Sequence, residues 1–228
     1  MDKLVRRIEV PLAKRAIEKA GLYIVDKKKD IDRLAVVAAD AYHDYPLHNW
    51  LTKGKYDEVA SRLIMQISLR AMTEDAVIYA DSEEMNGFAA WLPFGFTGNK
   101  AIPFLANGGF KLIFHSGPGI IGRLVKFENY AMNLKKQFTE HYDWYLYNLT
   151  IKRDAQGKGI ASKLMRPMLE FCDNERMVAY LETNKDVNVG LYQHYGFEVM
   201  HEELVPDTPF MHYAMVRRPV YQGTDSDE

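Results

Sequence analysis

The chain has 228 residues, of which 47% are hydrophobic and 26% charged, as in an ordinary globular protein of one large domain or two small ones. Its 29 lysine and arginine residues are balanced by 31 aspartate and glutamate residues, so the net charge of −2 argues against a nucleic-acid-binding protein. The single cysteine, Cys172, excludes an internal disulfide and a thiolate-rich zinc site, and it fits a reducing compartment. Because the chain has neither a long apolar run nor a secretory signal, we expect no membrane association and a cytoplasmic location.

Hydrophobic periodicity predicts alternating strands and helices in the first half of the chain. Residues 1–21 form an N-terminal extension that the pattern does not place. The elements predicted after it are a strand at 22–25, a helix capped by Asp30 and stopped at Tyr45-Pro46, a helix at 56–73, and an antiparallel hairpin of strands 76–80 and 88–92. A single domain is expected to span residues 22–218, followed by an acidic tail at 219–228.

Residues 94–140 are rich in glycine and include a helical stretch at 120–138. We interpret them as a helical insertion that either walls a pocket or merely connects two parts of the domain. The elements predicted after the insertion are a strand at 144–151, a helix with an apolar stripe from Ala161 to Cys172, a strand at 178–181, a helix at 187–195 closed by Gly196, and strands at 197–204 and 210–216. Pro167 predicts a kink in the first of these helices, and Cys172 is expected to be buried and inert.

The segment from Gln156 to Ser162 carries the strongest functional signal. A predicted strand ends in a polar turn, and Gly157 and Gly159 then open an amphipathic helix. The first amides of a helix lack partners within the helix and lie at its positive end, so this geometry suits a diphosphate that approaches the backbone. Lys158 and Ser162 offer additional contacts. The alternative is an ordinary strand–turn–helix connection with glycine at the bend.

Two other phosphate-binding motifs fit less well. Residues 117–124 have the glycine interval of a P-loop, but Arg123 and Leu124 replace the lysine and hydroxyl residue that contact phosphate and magnesium. A dinucleotide fingerprint would use Gly157, Gly159 and Glu182. However, Ser162 stands at its third glycine position, and the hairpin-rich remainder of the chain lacks the repeated βαβ units of that fold.

The run from Gln156 to Ala161 resembles the Arg/Gln-x-x-Gly-x-Gly/Ala acyl-CoA loop of the GNAT superfamily of N-acetyltransferases, with Ala161 in place of the commoner glycine. The strand before it resembles the fourth strand of that family, and residues 188–197 resemble its later Asn…Tyr…Gly-Phe segment. Tyr45-Pro46 with Trp50, Trp91–Gly95 and Tyr180–Thr183 are similar to features of a subgroup that includes puromycin N-acetyltransferase.

The resemblance implies an α/β (α+β) fold with a mixed, mostly antiparallel central sheet, a cleft between splayed fourth and fifth strands, and flanking helices. It also implies acetyl-CoA as co-substrate and no metal. The residues expected to bind acetyl-CoA lie on the fourth strand, in the glycine loop and on the later helix: Leu149, Ile151, Gln156, Gly157, Lys158, Gly159, Ile160, Ala161, Ser162 and Asn188.

Acetyl transfer to an amine needs a proton acceptor and a proton donor. Glu182 is the first candidate base, because burial tunes carboxylates for this role, although it could instead be a surface or structural carboxylate. Asp143 is a weaker alternative, and His194 and His201 are titratable near pH 7 but more typical of surface or packed positions. The resemblance assigns the general acid to Tyr192, whose other interpretation is core packing beside Tyr195.

These observations predict an N-acetyltransferase that moves an acetyl group from acetyl-CoA to a primary amine of a small molecule by direct attack in a ternary complex. Two alternatives stay open: a non-catalytic acyl-CoA-binding regulatory module, and an enzyme that acetylates proteins or peptides. The sequence does not decide between a monomer and a homodimer.

Overall fold

The computed structural model describes residues 2–72, 75–93, 105–138 and 144–220, with side chains described from residue 9 onward and, in the third range, from residue 107. The α-helices in these ranges are α1 (Asp2–Lys19), α2 (Ile31–Ala41), α3 (Pro46–Leu51), α4 (Glu58–Ala71), α5 (Phe110–Ser116), α6 (Gly119–Phe138), α7 (Ile160–Asn174) and α8 (Asp186–His194). A π-helical turn (Leu105–Gly109) precedes α5, and a 3₁₀ turn (Arg153–Ala155) precedes α7. Within the described ranges, no helix is long and apolar enough to cross a membrane.

Seven strands form one sheet: β1 (Tyr23–Ile24), β2 (Val77–Ala80), β3 (Gly87–Pro93), β4 (Trp144–Ile151), β5 (Ala179–Thr183), β6 (Glu198–Leu204) and β7 (Met211–Arg217). Their order across the sheet is β1-β2-β3-β4-β5-β7-β6. Every neighbouring pair is antiparallel except β4 and β5, which run parallel and are joined through α7. The predicted mixed, mostly antiparallel sheet is confirmed, and a doubly wound dinucleotide-binding sheet is excluded.

Helices cover both faces of this sheet. On one face, α1 and α7 bury Ile17, Leu164 and Met168 against Trp91 and Trp144, and Cys172 lies fully buried among them as predicted. The Tyr79 hydroxyl donates to the carbonyl of Leu164 at 2.7 Å and so fixes α7 to the sheet. Each such fully buried aliphatic side chain stabilises the fold by about 1.5–3 kcal/mol.

The opposite face packs against α2, α4 and α6. Leu34 of α2, Leu69 of α4 and Leu134 of α6 bury Tyr145 and Tyr180 of the two central strands. The helical part of the predicted insertion therefore contributes to the main core, because Leu134 is only 4% exposed.

Several local predictions need correction. Asp30 precedes α2 as expected, but its carboxylate accepts hydrogen bonds from Tyr23 and the Asp26 amide instead of capping the helix. The helix ends at Ala41, and Pro46 begins α3, which the sequence analysis missed, because proline is preorganised for the first helical position. The N-terminal residues left unplaced form α1. α7 continues through Pro167, and the kink at this proline stays a prediction.

Candidate active site

The two parallel strands at the centre of the sheet, β4 and β5, separate toward their C-terminal ends. β4 and β5 pair only at Trp144–Ala179, Tyr145–Tyr180 and Leu146–Leu181. On the other side of β4, the register with β3 shifts between Ala90 and Trp91, which leaves Tyr147 opposite no residue. Such a bulge bends its strand. The predicted cleft between the fourth and fifth strands is therefore confirmed, and it opens at Tyr147.

The free end of β4 forms one wall of this cleft. The Leu149 side chain is partly buried and packs against the core on the α7 face, whereas Asn148 and Thr150 are buried on the opposite face. At the end of the strand, the Gln156 amide donates to the carbonyl of Ile151 at 3.2 Å. The two β4 residues predicted to bind acetyl-CoA thus lie along the open side of the cleft.

β4 leads into the predicted glycine loop. Gly157 and Gly159 have φ angles of +74° and +79°, and space for a Cβ atom is open at both, so conformation rather than crowding requires glycine there. Gly159 is the N-cap of α7 and has no side chain to cap the first amides. Residues 156–159 are all exposed, so an anion could reach these amides from solvent.

Neighbouring contacts fix the start of α7 in place. The Ile160 methyl group packs so closely on β3 that a Cβ atom on Gly87 would lie 2.9 Å from it. The Ser162 hydroxyl lies 2.9 Å from that of Tyr195, which links α7 to the end of α8. Lys158 is exposed, and Ala161 is partly buried. The loop predicted to hold a diphosphate is thus presented on a firmly packed helix.

Tyr192 lies on α8 and is 7% exposed. Its ring meets that of Phe197 edge-on at a centroid distance of 6.1 Å, whereas its hydroxyl forms no hydrogen bond with the described residues. Burial, and after it the nearby phenols of Tyr45 and Tyr42, raise the pKa of Tyr192 well above its usual range. The phenol is therefore protonated at neutral pH and has a proton to donate.

Asn188 lies one helical turn before Tyr192. Its amide donates to the Thr183 hydroxyl at 3.1 Å, so the start of α8 is tied to the end of β5. The later helix predicted to contact acetyl-CoA is thereby held at the side of the cleft.

Glu182 lies within β5, which extends to Thr183, rather than just after a strand as predicted. Its carboxylate accepts hydrogen bonds from the hydroxyls of Tyr180 at 2.6 Å and Tyr145 at 3.2 Å. Burial raises the pKa of Glu182, and the hydrogen bond from Tyr180 and the charge of Lys135 oppose that shift. A carboxylate in this environment is a better proton acceptor than an exposed glutamate.

A second carboxylate faces the same region from α6. Glu128 is exposed to solvent, yet desolvation by the surrounding protein raises its pKa. The Lys135 charge lowers the pKa of Glu128, and the Glu182 charge raises it. Lys135 Nζ lies 4.8 Å from the centroid of the Tyr145 ring. Sequence reasoning missed Glu128, because only packing of the insertion on the sheet brings it near Glu182.

Of the remaining candidates, the structure describes only the two histidines. Asp143 falls outside the described residues. His194 is exposed at the end of α8, where its ring meets Tyr195 at 5.3 Å. His201 lies on β6, with its Nε2 atom 3.4 Å from the carboxylate of Glu203. Neither histidine forms a hydrogen bond with Glu182 or Tyr192 in the described part of the chain.

Comparison with known proteins agrees with this architecture. Residues 119–199 match the family model of the acetyltransferase (GNAT) domain. An uncharacterized N-acetyltransferase of Schizosaccharomyces pombe is 24% identical over 181 residues, which cover 74% of this chain and 71% of the relative.

Two solved structures show the same fold. An arylalkylamine N-acetyltransferase of Aedes aegypti is 19% identical, with a TM-score of 0.52 over 86% of this chain and 97% of that one. A Corynebacterium glutamicum structure described as a histone acetyltransferase and related acetyltransferase is 17% identical, with a TM-score of 0.55 over 88% and 96%.

The sheet with its splayed central strands has the GNAT fold. The match of residues 119–199 to the acetyltransferase (GNAT) domain and the likeness to an N-acetyltransferase support an acyltransferase enzyme. Enzymes of this family take their acetyl group from acetyl-CoA.

Proposed function

We propose that the protein transfers the acetyl group of acetyl-CoA to a primary amine of a small molecule, by direct attack in a complex that holds both substrates. The observation that carries this proposal is the cleft, in which β4 and β5 stop pairing after Leu146 and β4 leads into an exposed glycine loop. An extended thioester arm fits beside an unpaired strand edge, and a diphosphate fits the uncapped amides of a helix start.

Each predicted contact then has a place. The backbone of Leu149 and Ile151 would pair with the pantetheine arm, and Asn188 would border it from α8. The diphosphate would lie against the loop and first turn of α7, which comprise Gln156, Gly157, Lys158, Gly159, Ile160, Ala161 and Ser162. Acetyl-CoA supplies an activated acetyl thioester, and the protein supplies alignment and proton transfer.

The reaction joins the amine nitrogen to the acetyl carbon and breaks the bond from that carbon to sulfur. In this scheme Glu182 accepts the proton that the amine must lose, since an amine with a pKa near ~10.4 is almost wholly protonated at pH 7. A backbone amide of β4 near Leu149 stabilises the developing oxyanion. Tyr192 donates its proton to the departing thiolate and later regains one from solvent.

The surroundings of Glu182 support a cationic small molecule as acceptor. Glu182 and Glu128 supply negative charge, which Lys135 partly offsets, and Tyr147 supplies an aromatic face that attracts an ammonium group. Near this region Phe210, in the β6–β7 connection, meets Phe127 of α6 at 6.2 Å and Trp50 of α3 at 6.1 Å. A wall of this kind favours a small amine over a long peptide.

Two further likenesses point in the same direction. The segments around Tyr45-Pro46 and Trp91–Pro93 resemble those of the subgroup that includes puromycin N-acetyltransferase, and the Aedes aegypti protein is described as an arylalkylamine N-acetyltransferase. Neither likeness identifies the particular substrate of this protein.

Calorimetry with acetyl-CoA and an assay of thiol release with a panel of amines test the proposal. We expect saturable binding of acetyl-CoA and release of one thiol per acetylated small amine. Binding without turnover by any amine would favour a regulatory acyl-CoA-binding module. Turnover confined to peptides would instead identify a protein or peptide acetyltransferase.

The Glu182→Gln variant tests the proposed base. Because burial raises the pKa of Glu182, kcat/KM of the wild-type protein should fall with decreasing pH at values above those of an ordinary glutamate. The variant should lose about 100-fold or more in kcat/KM at neutral pH, and this acidic limb should disappear. Glu198→Gln is a matched control, because Glu198 is a strand glutamate at the sheet edge paired with Arg218. A variant that keeps the acidic limb assigns the base to another group.

A further inference from the structure

The last residues of α2 and the turn that leads into α3 cross the region where β4 and β5 separate. Its first two contacts reach the β4 side. Asp40 accepts a hydrogen bond from the Arg153 backbone amide at 2.8 Å, just where β4 enters the glycine loop. The Tyr42 hydroxyl accepts from the Asn148 amide and lies 3.3 Å from the hydroxyl of Thr150. We call residues 40–45 the strap.

The next two contacts of the strap reach the β5 side. The Asp44 carboxylate pairs with Lys185 Nζ at 2.8 Å. The Tyr45 hydroxyl accepts from the Asn184 backbone amide at 3.0 Å and lies 3.3 Å from the Thr183 hydroxyl. Along six consecutive residues, the strap therefore binds both walls of the cleft.

The aromatic rings of the strap form a rigid unit. The rings of Tyr42 and Tyr45 have centroids 5.1 Å apart, and the His48 ring stacks on Tyr42 at 4.5 Å. His48 Nδ1 lies 2.7 Å from the Ser61 hydroxyl of α4, and burial lowers the pKa of His48 to about 3, so this ring stays neutral. The strap is thereby fixed to α4 as well as to the two cleft walls.

The strap adds hydrogen bonds to buried polar groups of both walls, which also bond to other residues: Asn148 to Thr150, Asn184 to Met211 and His212, and Thr183 to Asn188. Asn148 and Thr150 on one wall, and Thr183 and Asn184 on the other, are each at most 6% exposed. Leaving such groups unsatisfied is costly, so the two phenols hold the side chains of both walls at fixed positions. Two strands with unpaired facing edges tend to pair with each other, and this tendency must be opposed where a cleft is to stay open.

We propose that Tyr42 and Tyr45 are positioning residues that set the width of the cleft between β4 and β5, and thereby the affinity for the thioester arm. This inference rests on the proposed function, because it assigns the arm to the cleft. Neither tyrosine takes part in proton transfer under this proposal, so their removal should affect acetyl-CoA binding rather than the pH dependence of turnover.

The variants Tyr42→Phe and Tyr45→Phe test this role. Each keeps the ring and removes only the hydroxyl, and each should raise the acetyl-CoA Kd about five- to tenfold, the effect of losing one buried hydrogen bond. The KM for the amine and the pH profile of kcat should stay unchanged. Tyr23→Phe is the matched control, since it removes a phenol that donates to Asp30 at the far edge of the sheet.

Hydrogen exchange of the Leu149 and Ile151 amides in the unliganded protein gives a second readout that needs no activity. It should be slower in Tyr42→Phe than in the Tyr23→Phe control, because the walls of a cleft that is no longer held open would pair with each other. Unchanged exchange and an unchanged acetyl-CoA Kd in folded variants would overturn the proposal, as would a shift in amine KM or pH profile alone. Failure of the wild-type protein to bind acetyl-CoA would contradict the proposed function instead, and the exchange measurement would still decide the role of the strap.

Discussion

Tyr192→Phe should lower kcat by about two orders of magnitude or more while leaving the acetyl-CoA Kd nearly unchanged, because general acid catalysis commonly contributes that much. Burial raises the pKa of Tyr192, so the phenol is protonated at neutral pH but is a weaker acid than a thiol, whose pKa is about 8.5. The proposed donation is therefore coupled to the breaking of the bond from carbon to sulfur, and the phenolate regains its proton from solvent. Phenylalanine keeps the contact with Phe197 but has no proton to give.

The loss should depend on the leaving group. When the thiol of the acyl donor has a lower pKa, its thiolate leaves without being protonated. With such a donor, the difference in kcat between Tyr192→Phe and the wild-type protein should be smaller. Tyr213→Phe is a closely matched control, because Tyr213 lies in the same core, is also 7% exposed, and donates to Asp186 rather than into the cleft. Weaker acetyl-CoA binding with an unaltered kcat would show that Tyr192 is structural.

Gly159→Val should weaken acetyl-CoA binding by at least about tenfold and lower thermal stability modestly. At a φ of +79° a β-branched residue costs roughly 1–3 kcal/mol, so the loop would shift away from this conformation. If the loop keeps its conformation, the added methyl groups would lie between solvent and the first amides of α7. A diphosphate must approach these amides from the solvent side.

Gly21→Val separates backbone strain from loss of binding. Gly21 has a φ of +71° and equally open surroundings, and it lies after α1, away from the loop. Both variants should therefore lose similar thermal stability, whereas only Gly159→Val should raise the acetyl-CoA Kd in calorimetry. Equal Kd values for the two variants would place the diphosphate elsewhere.

Local patterns in the chain predicted much of the C-terminal part. The strand from Trp144 to Ile151 has the predicted bounds, and the apolar stripe that ends at Cys172 predicted the buried face of α7. These elements depend on neighbouring residues, whose spacing is visible in the sequence. Helix α3 was missed because a single turn after proline has too few residues to show a period.

Contacts between distant segments escaped prediction. Tyr42 and Tyr45 were visible only as the end of a helix, yet they meet β4 and β5 more than a hundred positions later. Glu128 lies in the helical stretch predicted at 120–138 but was not singled out, and Glu182 was predicted as a carboxylate at a strand end. Their altered pKa values depend on groups from other elements that surround them, which no spacing along the chain records.

By itself, the sequence determined the glycine loop, because positive φ angles at Gly157 and Gly159 and an uncapped helix start are local properties of a short segment. Only the tertiary structure decided where the cleft opens. That point depends on a register shift between β3 and β4 at Tyr147 and on the strap that joins both walls. Strand register and side-chain satisfaction across a sheet are set by the simultaneous packing of distant segments, which is why they appear only in the folded chain.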